Sequence, residues 1–141
     1  MRKLAFLTTI YAIDERYITD FFDSLINQTD TEFDLIILND GYLELSALKK
    51  QYSGLSIIEL KSANNIALNR ERLIKYAIDN NYCFALFGDK DDYFDSNRVQ
   101  VSKSLLESND IVVNDLTSFS SVGVISEKIL SRRIVNNSEY R

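Results

Sequence analysis

Histidine is missing from these 141 residues, and cysteine occurs once. Together these shortages exclude zinc sites of the usual Cys/His type, disulfides within the chain and nucleophilic triads built on histidine. Any metal must then be held by oxygen ligands, which suits magnesium, manganese or calcium. An excess of positive charge is missing too: 16 lysines and arginines face 21 aspartates and glutamates, for a formal net charge of −5. Apart from Arg132-Arg133 and Arg70-Glu71-Arg72 the basic residues are scattered, so neither nucleic acid nor an anionic membrane is expected as a partner. No apolar run approaches membrane-spanning length. Met1-Arg2-Lys3 and the short apolar stretch after it resemble a signal peptide only superficially. That stretch ends at Tyr11 and Asp14 without a small-residue cleavage site, and reads as a first strand. A reducing, cytoplasmic location is expected, with peripheral attachment to the inner face of a membrane admitted. Cys83 lies in the apolar run from Tyr82 to Phe87 and reads as a buried small hydrophobe rather than a reactive thiol.

What is present is an ordinary globular composition. Hydrophobic residues make up 45% and charged residues 26%, which excludes disordered and collagen-like classes. The length suits one domain with a real core. Along the chain, strand and helix patterns alternate. Leu4 to Thr9 is a first strand, and Asp14 can cap a helix with Ile18, Phe21, Phe22, Leu25 and Ile26 on one face. Asp34 to Asn39 is a second strand, followed by the turn Asp40-Gly41 and a short helix carrying Leu45, Leu48 and Tyr52. Leu55 to Leu60 is a third strand. A helix then places Ile66, Leu73, Ile74, Ala77 and Ile78 on one stripe. Tyr82 to Phe87 is a fourth strand, apolar enough to be covered on both faces. After the loop Gly88 to Asp95, Asp95 or Ser96 can cap a helix through Val101, Leu105 and Leu106, and Ile111 to Val113 is a fifth strand. Such alternation predicts an α/β fold, a mostly parallel sheet with helices on both faces. In the tail, Ser118 to Ser121 is loop-like, Val122 to Ile125 reads as a strand, and Ser126 can cap a helix through Ile129 and Ile134. The polar end from Asn136 to Arg141 does not resemble a natural domain end and suggests a shortened chain.

In an open parallel sheet, ligands sit outside the carboxyl ends of the strands. Three polar features fall at that edge: Thr8-Thr9-Ile10-Tyr11, Asn39-Asp40-Gly41 and Gly88-Asp89-Lys90-Asp91-Asp92. Three carboxylates within four residues are tolerated best in solvent or around a cation. The acidic turn is therefore either a solvated start to the next helix or a site for a hard divalent ion that also meets substrate phosphates. Asp40 can aim two acceptor oxygens at a base or ribose, although Asn-Asp-Gly is equally ordinary turn chemistry with Gly41 at positive φ. Arg70 can reach a diphosphate from the first turns of its helix, or stand as a solvated charge beside Glu71. Thr9 and Tyr11 can offer a hydroxyl and a stacking ring to a nucleobase, or simply end a strand.

Taken together, these residues resemble the N-terminal half of family 2 glycosyltransferases, which have the GT-A fold. Thr9-Ile10-Tyr11-Ala12 stands where the family opens with Pro-Thr-Tyr-Asn or Thr-Ser-Tyr-Asn. Ser24-Leu25-Ile26-Asn27-Gln28-Thr29 is similar to the helix ending Ser-Leu-x-x-Gln-Thr. Glu32 to Gly41 is similar to the family's second strand, Asn64 to Arg70 to its Asn-x-Gly-x-x-x-Ala-Arg-Asn helix start, and Phe87 to Tyr93 to the stretch holding its Asp-x-Asp signature. The match runs over roughly residues 3 to 115. It implies a Rossmann-like GT-A nucleotide-sugar-binding domain over residues 1–115, with residues 116–141 beginning an acceptor-side region. It also implies an inverting transfer of a sugar from a nucleoside diphosphate sugar, often a UDP-sugar, to a glycan or lipid-linked acceptor, with Mg2+ or Mn2+ as cofactor. By this resemblance Thr9, Tyr11 and Asp40 hold the nucleobase and ribose, and Arg70 lies near the diphosphate. Asp89 meets the ribose or phosphates, and Asp91 and Asp92 lie closest to the ion. Synthesis of a bacterial surface polysaccharide is the expected setting.

The sequence departs from the family at Ala12, which replaces an asparagine, and at Asn65, which replaces a common glycine. Lys90 puts a cation inside the acidic signature, where it either weakens metal binding or reaches a phosphate itself. The family's catalytic base has no counterpart that can be matched. A catalytically inactive binding or interaction module is thus the alternative. A receiver-like regulatory domain fits less well, because Asp40 follows the second strand rather than the third and no lysine follows Val113.

Overall fold

The computed structural model of the chain describes residues 3–120 and 122–126. The helix expected from Ser126 through Ile134 and the polar end at Asn136 to Arg141 lie outside the described residues. Four parallel strands form one sheet: β1 (Leu4–Ile10), β2 (Phe33–Asn39), β3 (Ser56–Lys61) and β4 (Phe84–Phe87), in the order β3-β2-β1-β4. The helices are α1 (Glu15–Ile26), α2 (Leu45–Gln51), α3 (Ile66–Asp79) and α4 (Arg98–Leu106). Chain contacts divide the molecule into a unit ending at Ser108 and a second beginning at Asn109. The second unit contains a short antiparallel pair, β5 (Ser118–Ser120) and β6 (Gly123–Ser126).

Side chains alternate across the strands, so each face of the sheet gathers its own core. Leu4, Phe6 and Ile10 join Phe33, Leu35 and Ile37 against Ile18, Phe21, Phe22 and Leu25 of α1, Leu45 and Leu48 of α2, and Val99 of α4. Ala5 and Leu7 join Ile36 and Leu38 against Leu73 and Ala77 of α3. Among the described residues, three helices therefore cover one face and α3 alone covers the other. Right-handed crossovers account for this division: the chain steps outward from β1 to β3, then returns through α3 to reach the far side of β1. The α/β reading of a parallel sheet with helices on both faces holds.

Several details differ from the sequence-based expectations. No strand forms at Ile111–Val113; the backbone there makes no ladder, and Ile111 and Val113 are exposed. Ser118–Ser120, read as a loop, is a strand instead. β4 is shorter than expected and lies at the sheet edge, so only Leu86 of its four residues is buried and Phe87 is half-exposed. Cys83 precedes this edge strand and is exposed, not buried. On α3 only Leu73 and Ala77 of the expected stripe are buried, while Ile66, Ile74 and Ile78 face solvent. On α4 the inward positions are Val99 and Ser102, with Val101 and Leu105 substantially exposed. The Asp14 cap forms as expected, its carboxylate accepting from the Arg16 amide at 3.0 Å.

Candidate functional site

Parallel registry carries the carboxyl ends of all four strands to one rim. Ile10 pairs with Asn39, Asn39 with Lys61, and Leu7 with Phe87. Loop amides then continue the ladders: Asp40 donates to the Ile10 carbonyl at 2.8 Å, Ser62 to Asn39 at 3.2 Å and Gly88 to Leu7 at 3.3 Å. Tyr11, Asp40, Ser62 and Gly88 are thereby fixed as the first residues beyond the sheet. The strand order reverses between β1 and β4, which is where an open α/β sheet leaves a crevice for a ligand. Tyr11 follows β1 on one side of that switch point, and the acidic turn follows β4 on the other.

The turn after β2 is built by Asn39. Its side-chain oxygen accepts from the Tyr42 amide at 2.8 Å, and its amide nitrogen donates to the Tyr42 carbonyl at 3.0 Å and to Glu59 at 2.9 Å. Gly41 takes φ +93°, which a side chain would strain. Because Asn39 supplies the turn chemistry, the half-buried Asp40 is left at the rim with a side chain not used in that turn.

The loop after β4 is held at three points. Gly88 packs against the core so closely that a Cβ there would fall 2.5 Å from Phe94 and 2.8 Å from Phe6. Phe94 is itself buried, its ring 5.1 Å from that of Phe6 and 5.7 Å from that of Phe21. Beyond it, the buried Gln28 donates to the Asp95 carbonyl at 2.8 Å and accepts from the Val99 amide at 3.0 Å, while the Thr29 amide donates to the Ser96 carbonyl at 2.8 Å. The Gln28-Thr29 ending of α1 thus braces the far end of the acidic loop. Between these anchors the Asp92 amide donates to the Asp89 carbonyl at 3.0 Å, closing a turn that leaves Asp89, Asp91 and Asp92 exposed.

Lys90 behaves differently from its acidic neighbours. It is only 7% exposed, and its Nζ lies 3.5 Å from the centroid of the Tyr11 ring. A cation over an aromatic face gains about 0.5–2 kcal/mol. Tyr11 keeps 45% of its surface exposed beside it. Thr9 is half-buried at the end of β1. Arg70 is exposed on the outer side of α3, where it lines a shallow concavity of about 570 Å³ with Ala67, Glu71, Ile74, Lys75 and Ile78. No hydrogen bond or ion pair among the described residues joins Arg70 to the rim.

Asn69 and Arg98 matter to the site and were not singled out in the sequence. Asn69 is buried and accepts from the Ala63 amide at 2.7 Å, pinning the loop after β3 to α3. Arg98 opens α4, donates from Nη2 to the Phe87 carbonyl at 3.0 Å and stacks 4.7 Å from the Phe94 ring. Burial lowers its pKa, and the charge of Asp92 acts in the opposite direction. A cation in the first turn of a helix runs against the helix dipole, and that misfit is the signal by which Arg98 could have been found.

The donor set of the turn suits a hard divalent ion, since it consists of carboxylate oxygens alone. Among the described residues no three acidic side chains converge closely enough to enclose one. An ion at this turn would have to take most of its ligands from water or a bound ligand, as magnesium commonly does.

The sequence model of the family described as Glycosyl transferase family 2 matches residues 7–139. No curated protein sequence matches the chain significantly. Among solved structures, S. aureus TarS residues 1–349 in complex with UDP is similar with a TM-score of 0.62 and 24% identity, over 74% of this chain and 32% of that one. The same fragment in complex with UDP-GlcNAc gives 0.61 and 23%, over 76% and 31%. A longer TarS chain gives 0.61 and 24%, over 76% and 20%. The likeness is one of fold, and the chain spans about a third or less of the TarS chains it matches.

Proposed function

Since the chain belongs to glycosyl transferase family 2, we propose that it forms the donor-binding part of a metal-dependent, inverting glycosyltransferase that uses a nucleoside diphosphate sugar. The observation that carries this reading is the placement of Tyr11, Asp40 and the acidic turn on one rim, beside the reversal of strand order. In this reading the Tyr11 ring stacks on the nucleobase, and Thr9 and Asp40 hold base and ribose through hydrogen bonds. Asp89 meets ribose or phosphate. Asp91 and Asp92 hold Mg2+ or Mn2+. When bound, the ion supplies Lewis-acid neutralisation of the charge that develops on the departing diphosphate. The pinned loop keeps the carboxylates in place before the ligand arrives, which reduces the reorganisation needed at the moment of reaction.

UDP-sugars are the first donors to test, because TarS structures contain UDP and UDP-GlcNAc. A glycan or lipid-linked molecule is the proposed acceptor, in polysaccharide synthesis on the cytoplasmic side of a membrane. None of the described helices is long and apolar enough to cross a membrane. None of the described carboxylates is assigned as the base that activates the acceptor hydroxyl.

Calorimetric titration with UDP, GDP and TDP in the presence of manganese tests the proposal. Binding of one of them, weakened by Asp91→Asn, is the expected outcome; absence of binding by all three would remove the donor-site assignment. Lys90, a cation inside the acidic signature, favours a second reading, a binding module without metal chemistry. That reading requires metal to leave both stability and nucleotide affinity unchanged.

A further inference from the structure

We propose that Lys90 is a diphosphate-binding residue whose ammonium group leaves the Tyr11 ring for the donor's phosphates, supplying from the chain part of the positive charge that the site otherwise draws from a metal ion. The inference rests on the donor-binding reading above and extends it to a residue within the acidic turn.

Its starting point is an anomaly of pairing. Asp89, Asp91 and Asp92 all lie within two residues of Lys90, yet no ion pair among the described residues joins the lysine to any of them. The side chain instead folds inward, loses nine-tenths of its exposure and sets Nζ 3.5 Å above the Tyr11 ring. An ammonium group carries three N–H donors and no acceptor. A ring face attracts its charge but offers no lone pair, and no described residue accepts a hydrogen bond from Nζ. Lys90 is therefore held at the rim with its ammonium committed to no described acceptor and still within reach of solvent.

A phosphate meets that need, because charge-assisted hydrogen bonds to anionic oxygens are among the strongest a lysine makes. The location fits as well. Tyr11 follows β1 and Lys90 follows β4, so the contact spans the opening where the strand order reverses. An incoming nucleotide needs the ring for its base and a cation for its diphosphate. One movement of Lys90 releases the first and delivers the second. The flexible four-carbon stem allows that movement without disturbing the anchors at Gly88 and Phe94.

The test compares wild type, Lys90→Met and Lys90→Arg. Each is titrated with the nucleoside diphosphate that binds best in manganese and with its parent nucleoside, in manganese and in EDTA. Methionine keeps an apolar stem against the ring, and arginine keeps the charge. Wild type is expected to retain diphosphate binding in EDTA. Lys90→Met should weaken that binding at least about tenfold, the size of one lost charge-assisted hydrogen bond, and Lys90→Arg should largely restore it. Nucleoside binding should not weaken in either variant. Equal affinity of wild type and Lys90→Met for the diphosphate in EDTA would overturn the proposal. So would an equal loss for nucleoside and diphosphate, which would confine the lysine to packing on the ring. Binding by wild type in manganese but none in EDTA would also overturn it, while leaving the donor site intact. No binding by wild type under either condition would instead remove the donor-site reading and this inference with it.

Discussion

The carboxyl of Asp92 is pushed above the usual carboxylate range, first by burial of its end and then by the charges of Asp89 and Asp91. The residue as a whole is nonetheless exposed, so solvent screens much of this repulsion. For an acid whose pKa is raised by folding, the sign is unfavourable to the fold. Stability falls as pH rises from the unfolded value through the folded one, and the penalty is complete above it. Asp92→Asn removes that penalty and keeps an oxygen able to accept from the Asp89 amide. The variant should melt above wild type at pH 7, with the difference disappearing below the ordinary aspartate range. In the same variant, manganese-dependent nucleotide affinity should drop on the order of tenfold, as when support for a bound metal is removed. Thermal unfolding at the two pH values and titration with nucleotide measure the two halves. Gain in stability with loss of binding identifies a residue placed for a ligand rather than for the fold.

At the scale of elements, the end of α1 does more than close a helix. Gln28 ties Ser24, Asp95 and Val99 together through its two amide atoms. Gln28→Ala leaves the buried Val99 amide without its acceptor, and should cost about 1–3 kcal/mol in urea unfolding. It should also weaken nucleotide binding, although Gln28 lies away from the rim, because the loop after β4 loses its far anchor. None of this could be read locally: Gln28 is separated by 67 and 71 positions from the partners it holds. The same holds for α3. Its apolar residues are regularly spaced, but the helix meets the sheet through the buried Leu73 and Ala77 and the partly buried Tyr76. Leu73→Ala should therefore destabilise by about 2–5 kcal/mol, whereas Ile74→Ala should stay within about 0.5 kcal/mol of wild type. Periodicity identifies a helix; how much of its stripe is covered depends on what packs beside it as well as beneath it. On α1, which shares its face of the sheet with residues of α2 and α4, Ile18, Phe21, Phe22 and Leu25 are all buried as their spacing predicts, and only Ile26 at the end escapes. Ile111–Val113 shows the opposite error, an apolar run short enough to read as a strand but one that forms no ladder with any described residue.

For the whole molecule, the parallel sheet and the gathering of its polar strand ends on one rim were legible in the sequence. Apolar runs such as Leu35 to Leu38 admit little besides a buried strand, and β-α alternation then fixes the hand of the crossovers. The side-chain contacts that prepare the rim were not legible. Phe94 reaching into the core, Asn69 pinning a loop and Lys90 choosing a ring over three carboxylates each depend on distances that only the folded chain defines. All the rim residues belong to the unit that ends at Ser108. A chain stopped after Ser108 should therefore unfold in one cooperative transition and bind nucleotide as tightly as the longer form, as denaturation and titration would show.

β1 lies between β2 and β4, with Leu4 paired to Phe33 on one side and Phe84 on the other. On the ribosome the first three strands can associate while the flank of β1 beside Tyr11 still waits for a neighbour that has not been made. Such distant pairings close late. A ligand held at this rim would consequently select among molecules in which β4 has docked, and would give no help to the nascent chain before that.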